Sequence, residues 1–231
     1  MSKIEEKLKH LGRGGGIGFR AATAPASPGM LLIARISQQA THSLEGLADA
    51  FLVEKGAKPP GGAVWGSRPE SPTAEALALL KEKGCDFVIL DPEKAPASTL
   101  EGEIARFIQI DHSLADSFLR AVEGLEVEGA FMEMEAPALR VHHLLLCQRV
   151  AGLVHKPLLV AVSPELTGAD VVQMRRVGVR GLVVRAEVGE KLEEWRQALL
   201  GAKVKGKEDV VLPRSEPPTP AAEEEEEERL N

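Results

Sequence analysis

The sequence contains no tyrosine, and only 3% of its 231 residues are aromatic. Stacking surfaces for single-stranded nucleic acid are built from aromatic side chains, so that class of function is set aside first. Basic residues are in no excess: 28 Lys and Arg face 35 Asp and Glu, and without the six glutamates at 223–228 the formal charge of −7 becomes −1. A nearly neutral body offers no basic face to a phosphate backbone, and no nucleic acid partner is expected. The two cysteines, Cys85 and Cys147, lie far apart without a CxxC or Cys/His spacing, which excludes a zinc site built on them and predicts two buried, reduced thiols. No run approaches the roughly 20 apolar residues needed to cross a bilayer, and the N-terminus has no apolar targeting core. The expectation is a cytoplasmic protein with no membrane partner. Absent too are a GxSxG elbow, a P-loop and an HExxH helix, so no motif names a reaction.

What is present is a series of eight short aliphatic or β-branched runs, most of them ending in a charged residue. They are LLIARIS (31–37), AFLVE (50–54), AVWGSR (63–68), DFVILD (86–91), RFIQID (106–111), GAFMEME (129–135), LLVAVS (158–163) and GLVVRAE (181–187). Helical patterns separate most of them, and that alternation implies βαβ units and a parallel sheet. Eight units would close a (β/α)8 barrel of the TIM type over residues 30–200, with its chemistry at the C-terminal strand ends. Two links argue for an irregular or incomplete barrel. Only Lys55 to Gly62 separates the second and third runs, against the dozen or so residues of an ordinary crossover. The link from Pro92 to Ala105 offers only a weak helix at 98–105.

Ile4, Leu8 and Leu11 have helical spacing before Gly12, which predicts a short helix able to cover the lower mouth of a barrel. The rest of residues 1–29 is a glycine-rich connector from Gly12 to Gly18, lacking the GxGxxG register, and a proline-punctuated loop. Ser71-Pro72 predicts an N-cap and first helical position. Ser113 with Asp116, and Thr167 with Asp170, have capping-box spacing. Pro137 is expected to open the helix through Val150, and Gly178 to end the one before the last strand. Residues 201–231, rich in charge and proline, are expected to form a disordered acidic tail, either solubilising or docking on a protein partner.

Alternation within the runs predicts which side chains point into the barrel. Phe131, Glu133 and Glu135 would face inward with Ala130, Met132 and Met134 toward the helices. Gln109 with Asp111, Ile89 with Asp91, and Arg35, Glu54, Ser163, Arg185 and Glu187 would also face inward near the upper rim. A carboxylate at Glu133, below the rim, demands an ion pair, a proton or a bound cation. Asp91, Asp111 and Glu133 end three consecutive strands about 4.8 Å apart, a spacing on which a hard cation such as Mg²⁺ or Mn²⁺ is expected. Arg35 and Arg185 are the candidates to hold an anionic group of a small-molecule ligand, and Glu135 and His112 the candidates for proton transfer. Trp65 is read as core.

Asp91, Asp111 and Glu133 resemble the carboxylate triad of the enolase superfamily, which implies lyase or isomerase chemistry through a metal-stabilised enolate. The likeness covers three residues, and the capping domain and strand-borne lysine base of that superfamily have no counterpart here. The segment 155–187 is similar to the last strand–helix–strand unit of flavin-dependent and phosphate-binding barrels, which implies the fold and, as an alternative, a flavin or phosphate ligand. Its loops carry Glu165, Glu187 and Glu190 with only Gly168 and Gly189, and that negative charge opposes phosphate. A non-catalytic barrel acting through its tail is the remaining alternative.

Overall fold

Each strand turns one row of side chains toward the barrel axis and the other toward the helices, and both rows are buried. In the computed structural model, which describes residues 1–12, 28–37, 44, 46–185 and 189–202, the strands are β1 (Leu31–Ile36), β2 (Ala50–Val53), β3 (Trp65–Ser67), β4 (Phe87–Leu90), β5 (Ala105–Ile110), β6 (Gly129–Met134), β7 (Leu158–Val162) and β8 (Val179–Arg185). All pair in parallel in chain order, and β8 pairs with β1, so the barrel closes. Around it lie α1 (Lys3–Gly12), α2 (Ala74–Glu82), α3 (Asp116–Ala121), α4 (Val141–Val154), α5 (Gly168–Arg176) and α6 (Gly189–Gly201). No helix among the described residues is long and apolar enough to cross a membrane. The acidic tail from residue 203, the connector at 13–27 and Glu187 lie outside the described residues.

Two buried clusters follow from the alternation. The interior cluster holds Ile33, Leu52, Phe87, Ile89, Phe107, Phe131, Leu159 and Val183, while the helix-facing cluster holds Val88, Leu90, Ile108, Ile110, Ala130 and Met132. Three of the six phenylalanines thus fill the barrel. Room for them comes from glycines on neighbouring strands: a Cβ on Gly66 would lie 2.4 Å from the Phe87 ring, and one on Gly129 would lie 2.8 Å from that of Phe107. Phe87 and Phe107 meet edge to face at 5.8 Å.

The lower mouth is closed by α1, as its spacing predicted. Ile4 and Leu8 join the interior cluster, and the Asp86 carboxylate at the base of β4 accepts the Lys3 and Ile4 amides at 2.8 and 2.7 Å. Those amides have no partner inside the helix, so Asp86 caps α1 from 82 residues away.

Local signals were right in kind and sometimes shifted in place. Thr167 and Asp170 form the expected capping box at α5, and Gly178 follows its end at φ 102°. The α2 N-cap is Thr73, accepting from the Ala76 amide, rather than Ser71. α3 has Ala115 as its N-cap with no side-chain cap, because the Ser113 amide donates to Asp111 instead. α4 begins at Val141 behind Arg140, four residues beyond the proline expected to open it. Between β4 and β5 there is only a single 3-10 turn, Ala97–Leu100. Residues 54–64 join β2 to β3 without a helix, yet the pair remains parallel and the barrel closed.

Candidate functional site

The inward rows change from apolar to charged at the C-terminal strand ends, and the charged ends meet across the opening. On β6, Glu133 stands one inward step above Phe131 and pairs with Arg68, which follows β3. The Arg68 guanidinium also lies 6.0 Å from the Phe131 ring centroid. The Glu133 side chain is 43% exposed, so the expected carboxylate sunk below the rim is not found, and solvent as well as Arg68 meets its charge. Glu135 is held by two arginines from other strands: Arg35 Nη1 donates to one oxygen at 3.3 Å and Arg185 Nη2 to the other at 3.0 Å. Arg35 further donates through Nε to Glu54 at 2.5 Å. The mouth is therefore spanned by ion pairs running from β6 to β1, β3 and β8. Beneath them is a filled apolar barrel.

Arg35, Ser37, Glu54, Glu133, Glu135 and Arg185 line a mouth cavity of about 460 Å³. A second cavity of about 1330 Å³ shares Arg35 and Glu54 with it and extends past Arg68 and Asp91 to Trp65 and the α2 surface. Trp65 is only partly buried and forms a wall of that cavity while packing on the helix-facing cluster, so its core role is half the story. A cavity of about 820 Å³ at the opposite end of the barrel has two of its basic residues engaged by the backbone: Arg106 donates to the Thr99 and Glu101 carbonyls, and Lys156 to those of Leu125 and Val127. These bonds tie loops together.

Asp91, Asp111 and Glu133 are not brought to one point. Asp91 lines the larger cavity and bonds Lys94 at 2.8 Å, and this ammonium, with the Glu93 amide, holds its carboxyl below the usual range. Asp111 lines neither mouth cavity, and hydrogen bonds from the Ser113 side chain and amide hold it low. Among the described residues no group of three His, Cys, Asp or Glu side chains is placed to hold a metal ion. His112 sits on the rim with Nδ1 3.8 Å from Asp111, outside both cavities, and its carbonyl accepts from Arg149. The adjacent His142 and His143 lie at the start of α4, where His143 Nδ1 accepts the Arg140 amide.

In the loop after β7 the chain's own carboxylates engage the backbone amides at the start of α5. The Gly168 amide at the N-terminus of α5 donates to Glu194 at 3.0 Å, and the Thr167 amide donates to Asp170 at 2.9 Å. One residue of the mouth was not picked out from sequence, and one that was expected to face inward, Gln109, shows a further feature. Arg68 closes the short third run, where a charge at a strand end was visible but its inward register was not. Gln109, beside Phe131 in register, has a buried side-chain oxygen with no hydrogen-bond partner. Both thiols are buried, and burial pushes each up to about 12.

Comparison with protein-family models finds no match, and comparison with curated proteins finds none. Solved structures do match. A mutant tryptophan synthase alpha-subunit from Pyrococcus furiosus superposes with a TM-score of 0.56 at 14% identity, covering 74% of this chain and 98% of that one. Tryptophan synthase from M. tuberculosis gives 0.56 at 15% identity over 87% and 98% of the two chains. Thiamine phosphate pyrophosphorylase from Pyrococcus furiosus gives 0.51 at 13% identity over 73% and 95%. Likeness at this identity concerns the fold alone, and with the closed parallel sheet it establishes that this chain is a TIM-type (β/α)8 barrel.

Proposed function

We propose that the C-terminal mouth binds a small carboxylate-bearing molecule and that Glu135 transfers its proton in a lyase or isomerase reaction. The observation that carries this reading is the seat of Glu135, a single carboxylate gripped by Arg35 and Arg185 from different strands. A ligand carboxylate offers the same two oxygens to the same guanidinium groups, and such pairs are strong and geometrically specific. Taking that seat releases Glu135 as a base beside the bound molecule. His112 is the second proton-transfer candidate, reaching the mouth only if the loop after β5 moves.

Asp91, Asp111 and Glu133 do not converge as they stand, and a Mg²⁺ or Mn²⁺ ion shared by them, which would stabilise an enolate where its charge develops, would need Asp111 to turn from Ser113 into the mouth. It requires Glu133 to leave Arg68 and Asp91 to leave Lys94. Calorimetric titration of chelator-treated protein with succinate, then with each ion, tests both statements. Succinate is expected to bind, and Arg35→Gln or Arg185→Gln to weaken it about ten-fold, the loss of one charge-assisted contact. Absence of succinate binding at millimolar concentration, with and without the ions, rules out the carboxylate reading. Ion binding abolished by Glu133→Gln would establish the metal centre, and no ion binding would remove it.

A further inference from the structure

The wall of this barrel is notched at β2 and β3. These strands span only Ala50–Val53 and Trp65–Ser67, and the connection at 54–64 contributes no helix to cover their outer face. Ala76, Leu79 and Leu80 of α2, with Lys83 at its C-cap, therefore turn a stripe at helical spacing toward a cavity, where an ordinary (β/α)8 barrel would pack the preceding helix. Leu79 is 54% exposed there. The cavity passes over the notch, since its lining includes Arg35 and Arg68 from the mouth as well as Trp65 and Val53 from the outer face. Its charge is lopsided, with six Lys and Arg against Glu54, Glu70 and Asp91. Among the described residues Lys58 and Lys83 have no ion-pair partner.

We infer that the molecule held in the mouth is an amphipathic anion, with its carboxylate in the Glu135 seat at Arg35, which both cavities share, and an extended apolar body lying over the notch against Trp65, Leu79 and Leu80. This rests on the reading of the mouth as a carboxylate site and names the class of acid it takes. The cavity, at about 1330 Å³, is larger than a small diacid needs and mixes an apolar floor with cationic walls. A cationic or wholly polar body would meet lysines and leucines with no compensation. An alkyl or aryl body buries apolar surface there, and the surrounding positive charge favours an anionic over a cationic head.

The test is a series of acids of rising chain length, acetate, butyrate, hexanoate and octanoate, titrated into the full chain with octylammonium as the opposite-charge control. Affinity is expected to rise two- to four-fold per added methylene, four-fold being the value for complete burial. Trp65 fluorescence should change on binding, because Trp195, the other tryptophan, is fully buried and hydrogen-bonded to Leu166. Leu79→Glu, at an exposed position that folding tolerates, should abolish the rise with length and leave succinate binding intact. Octylammonium should not bind. Succinate binding without any dependence on acid length overturns this inference and spares the mouth. Length-dependent binding unaffected by Arg35→Gln places the acid group elsewhere and overturns this inference, leaving the mouth reading to the succinate titration. Equal binding of octanoate and octylammonium overturns the assignment of an anion.

Discussion

Replacing Gly66 by alanine tests whether the interior of this barrel is packed as tightly as its glycines imply. A Cβ at that position lies 2.4 to 2.5 Å from three atoms of the Phe87 ring. Carbon atoms rest at about 3.5–4.0 Å, so the ring and strand must separate by about 1 Å. The ring has nowhere to go, being fully buried and set edge-on against Phe107. Overpacking of a tight core costs about 1–3 kcal/mol, and a collision with a ring that cannot turn away belongs at the upper end, about 3 kcal/mol. Urea unfolding should show this as a lower midpoint with an unchanged slope. Phe87→Leu alone should destabilise by making a void, yet in the Gly66→Ala background it should relieve the collision. The double-mutant cycle should then give a coupling of about 2 kcal/mol. A Gly66→Ala protein within about 0.5 kcal/mol of wild type, or a coupling near zero, would refute the reasoning, because measured costs of surface-like changes are no larger.

Arg149 donates to Asp116 at 2.6 Å and to the carbonyls of His112 and Leu114, each at 2.7 Å, tying α4 to the loop after β5. Thermal melts of Arg149→Ala should show a loss of about 2 kcal/mol, and Arg149→Lys should recover less than half, since an ammonium lacks the planar fork that reaches three acceptors. The thiols give a pH signature: both are raised to about 12 in the folded chain, against about 8.5 when unfolded. A raised folded value means their contribution is complete below pH ~8.5 and falls as pH rises toward 12, because the unfolded chain releases protons first. Between pH 7 and about 9.5 the pair should remove about 3 kcal/mol of stability, and the double Cys→Ala protein should lose correspondingly less over the same interval.

Barrel strands and their facing were legible because a period of two, with one row inside and one outside, leaves its mark in every run longer than four residues. Phe131 and Glu133 are inward for that reason. The third run was legible as a strand but not in detail: only Trp65–Ser67 pair, and its glycine gives no hydrophobic clue to register, so the partnership of Arg68 with Glu133 was hidden. Alternation also fixes direction without distance. It placed Asp91, Asp111 and Glu133 on one rim, but loop residues decide where each carboxylate turns: Lys94 captures Asp91 and Ser113 captures Asp111. Helix starts shifted for a similar reason, since Ser71, Thr73 and Ser113 are equally good caps in isolation and tertiary position chooses among them.

The bond from Asp86 to the first turn of α1 joins residues 82 and 83 positions apart. During synthesis at about 5–20 residues per second, α1 is made roughly 4–16 seconds before the carboxylate that caps it exists. It also precedes every strand whose side chains will bury Ile4 and Leu8. The stopper of this vessel is thus cast before the vessel. Its composition suits the wait: charged residues flank Ile4 and Leu8 in KIEEKLKHLG, which keeps the segment dissolved on the nascent chain until β4 arrives to receive it.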